Sequence, residues 1–304
     1  MSGTVWLITG ASSGIGLALA EYVLSQGDKV VATVRSLSKF PESLSKAGAQ
    51  PLVLDLGASD ETIRKAGEEA LKIYGYIDVL VNNAGYGVVA AVEELNLDDA
   101  RAEFQTMVFG AIALAQALLP SFRARKSGQI LNVSSIGAFA PGPAWGAYSA
   151  AKAALDAFSE CLSLEVAPFN IRVLIVAPGY FETNFFQGTA LTDTTLQSKI
   201  YTDPSQGYGI IQAIPKRHRA LGQVGDPVKL AERVYEVVHG TGFAKGLTEA
   251  QGAKREWLRV PLGPDCGKRM LEKIDSLREN VLALEPVWSS TDYEPERLKA
   301  LSQG

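Results

Sequence analysis

Apolar residues along this chain fall into two alternating patterns. Continuous runs of strand length occupy residues 4 to 9, 29 to 34, 51 to 55, 78 to 82, 129 to 134 and 171 to 176, and each predicts a strand buried on both faces. Longer stretches with helical spacing lie between them. Residues 98 to 125 predict a long helix bent at Pro120, residues 145 to 166 a second one stopped by Pro168, and residues 227 to 239 a third. A short strand near 257 to 262 and an amphipathic helix near 267 to 284 complete the pattern. This rhythm means βαβ units, whose right-handed crossovers bury both faces of a parallel sheet. The predicted fold class is α/β, a doubly wound parallel sheet forming a single domain over 1 to 304, with a C-terminal helical extension over 240 to 304. Between about 184 and 225 the periodicity fades, and so long a loop in a compact domain is usually functional, which makes it the candidate substrate lid.

Composition narrows the partners. With 47% hydrophobic and 20% charged residues, a chain of 304 can bury one large core. A net charge of -4 and no long basic run argue against nucleic acid and anionic membranes, so a small molecule is the expected partner. Cys161 and Cys266 lie far apart, and His218 and His239 have no companion at metal-ligand spacing. Neither a disulfide framework nor a metal site is expected. The amino terminus runs almost directly into "TVWLITG", leaving no room for a leader, and no apolar run of spanning length stands out. A cytoplasmic protein without a membrane span is the expectation.

The segment "VWLITGASSGIGLALAEYVLSQG" is a strand, a glycine-rich turn and a helix in succession. Gly10, Gly14 and Gly16, with Ser12, Ser13 and Ile15 between them, let the backbone approach a pyrophosphate at a helix amino terminus. That is the dinucleotide site of a Rossmann fold. The second strand ends in "KVVATVRSL", where an NAD site would carry an acid for the ribose 2'-hydroxyl; Val34 and Arg35 stand there instead. A guanidinium suits a 2'-phosphate, so the expected cofactor is NADP(H). Asp55 closes "LVLDL" just before Leu56, either as an acceptor for the adenine amino group or as a helix cap. In "AYSAAKAAL", Tyr148 and Lys152 are one helical turn apart, so the ammonium can favour the ionised phenol. With 10 tyrosines in the chain, that pair draws its weight from the motifs around it.

Five motifs in order, "TGASSGIG" at 9 to 16, "NNAG" at 82 to 85, "NVSS" at 132 to 135, "YSAAK" at 148 to 152 and "PGYFET" at 178 to 183, resemble those of the short-chain dehydrogenase/reductase family. The resemblance covers roughly residues 3 to 240, and "ATVRS" is most similar to NADPH-linked carbonyl reductases of the 17β-hydroxysteroid and retinol dehydrogenase kind. It implies a catalytic set of Ser135, rather than Ser134, with Tyr148 and Lys152. Tyr148 would be the acid for the alkoxide left by hydride transfer, Ser135 would orient the substrate oxygen, and Lys152 would lower the phenol pKa and hold the nicotinamide ribose. Asn82, Asn83, Ala84 and Gly85 would line the adenosine ribose, while Pro178, Gly179, Phe181 and Thr183 would clasp the carboxamide. One position departs from the family: "TMVFG" carries Met107 where an asparagine usually holds a water that relays protons to the lysine, and methionine cannot donate. A homodimer or homotetramer packed through 98 to 125 and 145 to 166 is implied, or else a monomer whose tail covers those helices.

The expected reaction is interconversion of a ketone or aldehyde and an alcohol. Tyr86, Val88, Phe139, Pro141, Trp145, Tyr180, Phe185 and Phe186 predict an apolar pocket wall and hence an apolar, cyclic substrate. The rivals are a dehydratase or epimerase using the same tyrosine and lysine without net redox, and a non-catalytic dinucleotide-binding protein.

Overall fold

Strand β1 (Val5–Ile8) reads VWLI and is buried along its whole length, which only a central strand can be. A computed structural model of the chain describes residues 3 to 186, 191 to 192, 225 to 247, 258 to 293 and 297. From β1 the chain passes through α1 (Gly14–Ser25), β2 (Lys29–Val34), α2 (Glu42–Lys46), β3 (Gln50–Val53) and α3 (Asp60–Tyr74). It then returns to the other side of β1 and runs outward through β4 (Val79–Asn82), β6 (Gly128–Val133), β7 (Ile171–Pro178) and β9 (Arg259–Leu262). All pairings in this seven-stranded sheet are parallel, in the order β3-β2-β1-β4-β6-β7-β9. A second parallel pair joins β5 (Gly87–Val88) to β8 (Leu191–Thr192). The architecture is the doubly wound α/β sheet that the alternation predicts.

Two cores flank the sheet because successive strand residues face opposite ways. Trp6 and Ile8 pack with Leu19 and Val23 of α1 and with Leu230 and Val234 of α8 (Pro227–His239). Val5 and Leu7 pack instead with Ile63 of α3 and with Leu114, Leu118 and Phe122 of α5 (Gly110–Arg125). The remaining helices are α4 (Leu97–Phe104), α6 (Ile136–Phe139), α7 (Gly146–Val166) and α9 (Pro264–Ala283).

Several expectations need correcting. β3 is an edge strand with Gln50, Pro51 and Val53 exposed, because no strand lies beyond it to cover that side. The long helix changes regularity at a π-helical turn, Gln105–Phe109, between α4 and α5, whereas α5 stays helical through Pro120. At that turn the helix lies against the loop after β3: a Cβ on Gly110 would come within 2.6 Å of the Leu56 carbonyl oxygen. Taken whole, Leu97–Arg125 is long and apolar enough to cross a membrane, contrary to the expectation that no such run exists. Leu114, Leu118 and Phe122 of this stretch have no exposed surface and form the core over the sheet. The strand expected near 257 to 262 is β9, which joins the sheet beside β7, so the C-terminal extension is not helical throughout. Most of the proposed lid lies outside the described residues, as does His218. Cys161 is exposed and Cys266 buried, and both are free thiols.

A buried polar chain ties the middle of the sheet to α7. Asn82 Nδ2 donates to Asn132 Oδ1 at 2.8 Å, Asn132 Nδ2 donates to Ser159 Oγ at 2.7 Å, and Ser159 donates to the Leu155 carbonyl at 2.6 Å. Asn132→Ala leaves two buried groups short of a partner and is expected to lower stability by about 2 to 3 kcal/mol. Urea unfolding followed by circular dichroism measures this, and an unmoved midpoint would show the chain to be slack.

Candidate active site

Strand order reverses between β1 and β4, and at such a point the loops leaving two neighbouring strands diverge to open a crevice. Thr9, fully buried at the end of β1, holds the crevice together. Its Oγ1 donates to the Val81 carbonyl at 3.1 Å and accepts from the Asn83 and Ala84 N–H groups at 2.9 and 3.0 Å. Asn83 Nδ2 answers with a 2.9 Å bond to the Thr9 carbonyl.

The glycine turn is built for close approach. Gly10 (φ +66°) and Gly14 (φ +58°) have left-handed backbones, and a Cβ on Gly10 would lie 2.9 Å from Ala84 Cα. Gly10, Ser12, Ser13, Gly14 and Ile15 line a cavity of ≈ 1160 Å³ at the amino end of α1. This cradle, open where Gly10 and Gly14 carry no side chain and lined by two serine hydroxyls, fits a dinucleotide pyrophosphate. Gly16 is not on the cavity: a Cβ there would strike Asn83 Nδ2 and the Gly10 carbonyl, so this glycine serves helix-to-strand packing. Asn82 is likewise turned inward to Asn132, away from the cavity that Asn83, Ala84 and Gly85 line. Neither of these two expected cofactor residues lines the cavity.

Arg35 lies on the cavity wall at the end of β2, and Lys39, from the short turn Leu37–Lys39, joins it. Spacing gave no reason to single out Lys39, because the turn that returns it to the cavity has no sequence signature. Asp55 and Leu56 line the same end. Asp55 Oδ1 accepts from the Gly57 N–H at 2.9 Å, and Ser59 caps α3, so Asp55 is not the helix cap. From the loop after β7 come Pro178, Gly179, Phe181 and Thr183, all on the cavity, with Thr183 Cβ 3.5 Å from where a Gly14 Cβ would be.

Ser135, Tyr148 and Lys152 converge on this cavity. Ser135 caps α6, its Oγ accepting from the Gly137 N–H at 3.0 Å, and its hydroxyl acts on the Tyr148 phenol to favour ionisation. Ser134 also reaches the wall but has no such tie to Tyr148. Lys152 donates to the Val133 carbonyl at 2.7 Å, and its ammonium is 6.0 Å from the centre of the Tyr148 ring. The expected lowering of the phenol by this lysine is not what the protein alone produces. Burial pushes Tyr148 up to about 12, the Ser135 hydroxyl opposing and Glu103 adding to the rise. Burial pulls Lys152 down to about 8 against the charges of Asp156 and Glu103. At neutral pH the phenol therefore holds its proton and the lysine its charge.

Aromatic rings cover the substrate side. Trp145 stands edge-on to Tyr148 at 5.5 Å and stacks on Phe185 at 6.2 Å, and Tyr86 and Tyr180 complete the wall. Ala144, just before Trp145, has φ 67°, a left-handed conformation uncommon for alanine and one no sequence rule flags. Three expected wall residues are elsewhere. Val88 is buried against Glu103, Phe139 packs with Cys266 and Met270, and Pro141 leaves the wall to Gly142. The Phe186 side chain lies outside the described residues. Met107 does stand beside Lys152: its Sδ would be 2.9 Å, and Lys152 Nζ 3.6 Å, from a Cβ on Gly85. Two residues of α9 reach the site without a motif to announce them. Arg269 lines the cavity, and Asp265 Oδ2 accepts from the Tyr180 N–H at 3.0 Å.

The short chain dehydrogenase family model matches residues 4–193. The chain belongs to that family. This short-chain dehydrogenase is 34% identical to "Oxidoreductase BOA17" of Botryotinia fuckeliana, over 86% of this chain and 89% of the relative. A solved short-chain dehydrogenase from Streptomyces avermitilis superposes with a TM-score of 0.82 at 36% identity, covering 96% of this chain and 99% of that one. The 3-ketoacyl-(acyl-carrier-protein) reductase of Brucella melitensis, solved with NADH, gives a TM-score of 0.65 at 28% identity over 78% of this chain and 91% of its own. The protein is thus an oxidoreductase acting on CH-OH or C=O groups, in a family whose members bind NAD(P)(H).

Gly10→Ala should destabilise the turn by about 1 to 2 kcal/mol through its left-handed backbone alone. It should also weaken nucleotide binding on the order of tenfold or more, read by fluorescence titration with NADPH. Unchanged affinity would mean the pyrophosphate does not bind at this turn.

Proposed function

We propose that this short-chain dehydrogenase is an NADP(H)-dependent enzyme interconverting a ketone or aldehyde and an alcohol on an apolar substrate. The observation that carries the reading is Tyr148, half-buried on the cavity beside Ser135 and Lys152 and protonated at neutral pH. When bound, the dinucleotide supplies the hydride in reduction and accepts it in oxidation. The turn of residues 10 to 15 would hold its pyrophosphate, Asn83 to Gly85 the adenosine ribose, Lys152 the other ribose, and residues 178 to 183 the carboxamide. Ser135 donates a hydrogen bond to the substrate oxygen and holds it against the phenol. Tyr148 gives that oxygen its proton, and the Lys152 ammonium stabilises the phenolate that remains.

Family membership leaves the nucleotide open, since the Brucella melitensis reductase was solved with NADH. Support for NADP(H) comes from Arg35 and Lys39, two cations at the ribose end of the cavity. Support for an apolar substrate comes from the rings of Trp145, Phe185, Tyr86 and Tyr180.

A screen of NADPH and NADH consumption over apolar ketones and aldehydes tests the proposal. NADPH should be preferred, and Arg35→Ala should weaken NADPH alone by on the order of ten- to a hundredfold, as a charge-assisted contact of ~1.5 to 3 kcal/mol implies. Equal use of both nucleotides by the unaltered protein, or activity confined to small charged carbonyls, would overturn it. Tyr148→Phe should abolish reduction while leaving nucleotide affinity nearly intact; surviving reduction would remove the tyrosine from the mechanism.

A further inference from the structure

Glu103 is a carboxyl with no exposed surface, on the last turn of α4 before the π-helical segment. Its Oε1 accepts from the Val88 N–H at 3.2 Å, and its Oε2 has no hydrogen-bond partner among the described residues. No basic group among the described residues is close enough to form an ion pair with it, which is unusual for a buried acid. Accepting one backbone N–H needs only an amide oxygen, so the ionisable group calls for another explanation.

The neighbours supply it. Lys152 and Tyr148 on α7, Tyr86 in the loop before β5, and Asp99 one turn earlier on α4 are the titratable groups that feel Glu103. Met107, one turn after Glu103, has its thioether at the same approach to Gly85 as the Lys152 ammonium, 2.9 and 3.6 Å from where a Gly85 Cβ would be. Lys152 feels two acids, Asp156 on its own helix first and Glu103 second, and both favour its charged form. Burial pushes Glu103 up to about 8, with the Val88 bond and Lys152 opposing and Asp99 adding, which is where burial has brought Lys152. Groups so matched titrate as a pair.

We propose that Glu103 is a positioning residue that acts through Lys152, its ionisation keeping the lysine charged, and the active site competent, as the solution turns alkaline. Neutral Glu103 leaves no buried anion when Lys152 and Tyr148 are both protonated. As pH rises Glu103 loses its proton to water, and the new negative charge makes Lys152 and Tyr148 harder to deprotonate. The role rests on the carbonyl reductase reading of the site.

The test is the pH profile of kcat for carbonyl reduction in Glu103→Gln, whose amide oxygen still accepts the Val88 N–H. Removing the anion lowers the pH at which Lys152 loses its charge, so the alkaline limb should move down by about half to one pH unit. Glu103→Asp retains a shortened carboxyl and should move the limb less, in the same direction; it also serves if the glutamine variant fails to fold. A lower kcat or lower thermal midpoint with the limb unmoved in both variants would overturn the role. A readout without turnover separates this from failure of the reductase reading. Carbon-13 NMR of glutamate-labelled protein should show a carboxyl resonance, absent from Glu103→Gln, that titrates near pH 8. Titration of that resonance in the ordinary carboxylate range overturns the proposal whether or not any carbonyl compound is reduced.

Discussion

The Thr9 hydroxyl joins the two halves of this protein where they part. It donates to the backbone of β4 and accepts from the two N–H groups that follow, so the loops leaving β1 and β4 diverge from one fixed point. The glycine turn, the segment from Asn83 to Gly85 and the cavity between them all depend on that point. A parallel sheet whose order reverses there must leave a crevice at the carboxyl ends of its strands.

Tyr148 and Lys152 line that crevice, and burial does two things to the pair. It holds the Tyr148 proton on the phenol and weakens the hold of Lys152 on its own. The lysine takes its position from the Val133 carbonyl, at the end of the strand that also carries Ser135 into place. An oxidised nicotinamide would bring a positive charge to a site where the protein alone favours a neutral phenol, and would lower the tyrosine where the lysine alone does not. Glu103, buried one turn from Met107, belongs to the same electrostatic unit although no part of it lines the cavity.

The outer parts of the fold serve the site from a distance. β9 and α9 extend the sheet beyond β7 and send Asp265 to the Tyr180 backbone and Arg269 to the cavity wall. The loop after β7 is therefore held by an acid 85 residues further along the chain. Along α9, Leu271, Ile274, Leu277 and Val281 remain exposed, so this helix is packed at its first turns, through Cys266 and Met270.

Sequence by itself determined the sheet and its crevice, because buried parallel strands must be apolar on both faces and helices must show a 3.6-residue stripe; both are local patterns. It determined the glycine turn and the Tyr148–Lys152 pair for the same reason: a left-handed backbone and a one-turn spacing are written in neighbouring letters. What a side chain faces is not. Gly16 and Asn82 share motifs with cavity residues yet turn inward, while Lys39 and Arg269 reach the cavity from stretches without a motif. Tertiary structure alone decided that Lys152 bonds the Val133 carbonyl and that Glu103 is buried beside it, for desolvation depends on neighbours brought from distant segments. The charge state of the site follows from that burial, and no periodicity in the chain records it.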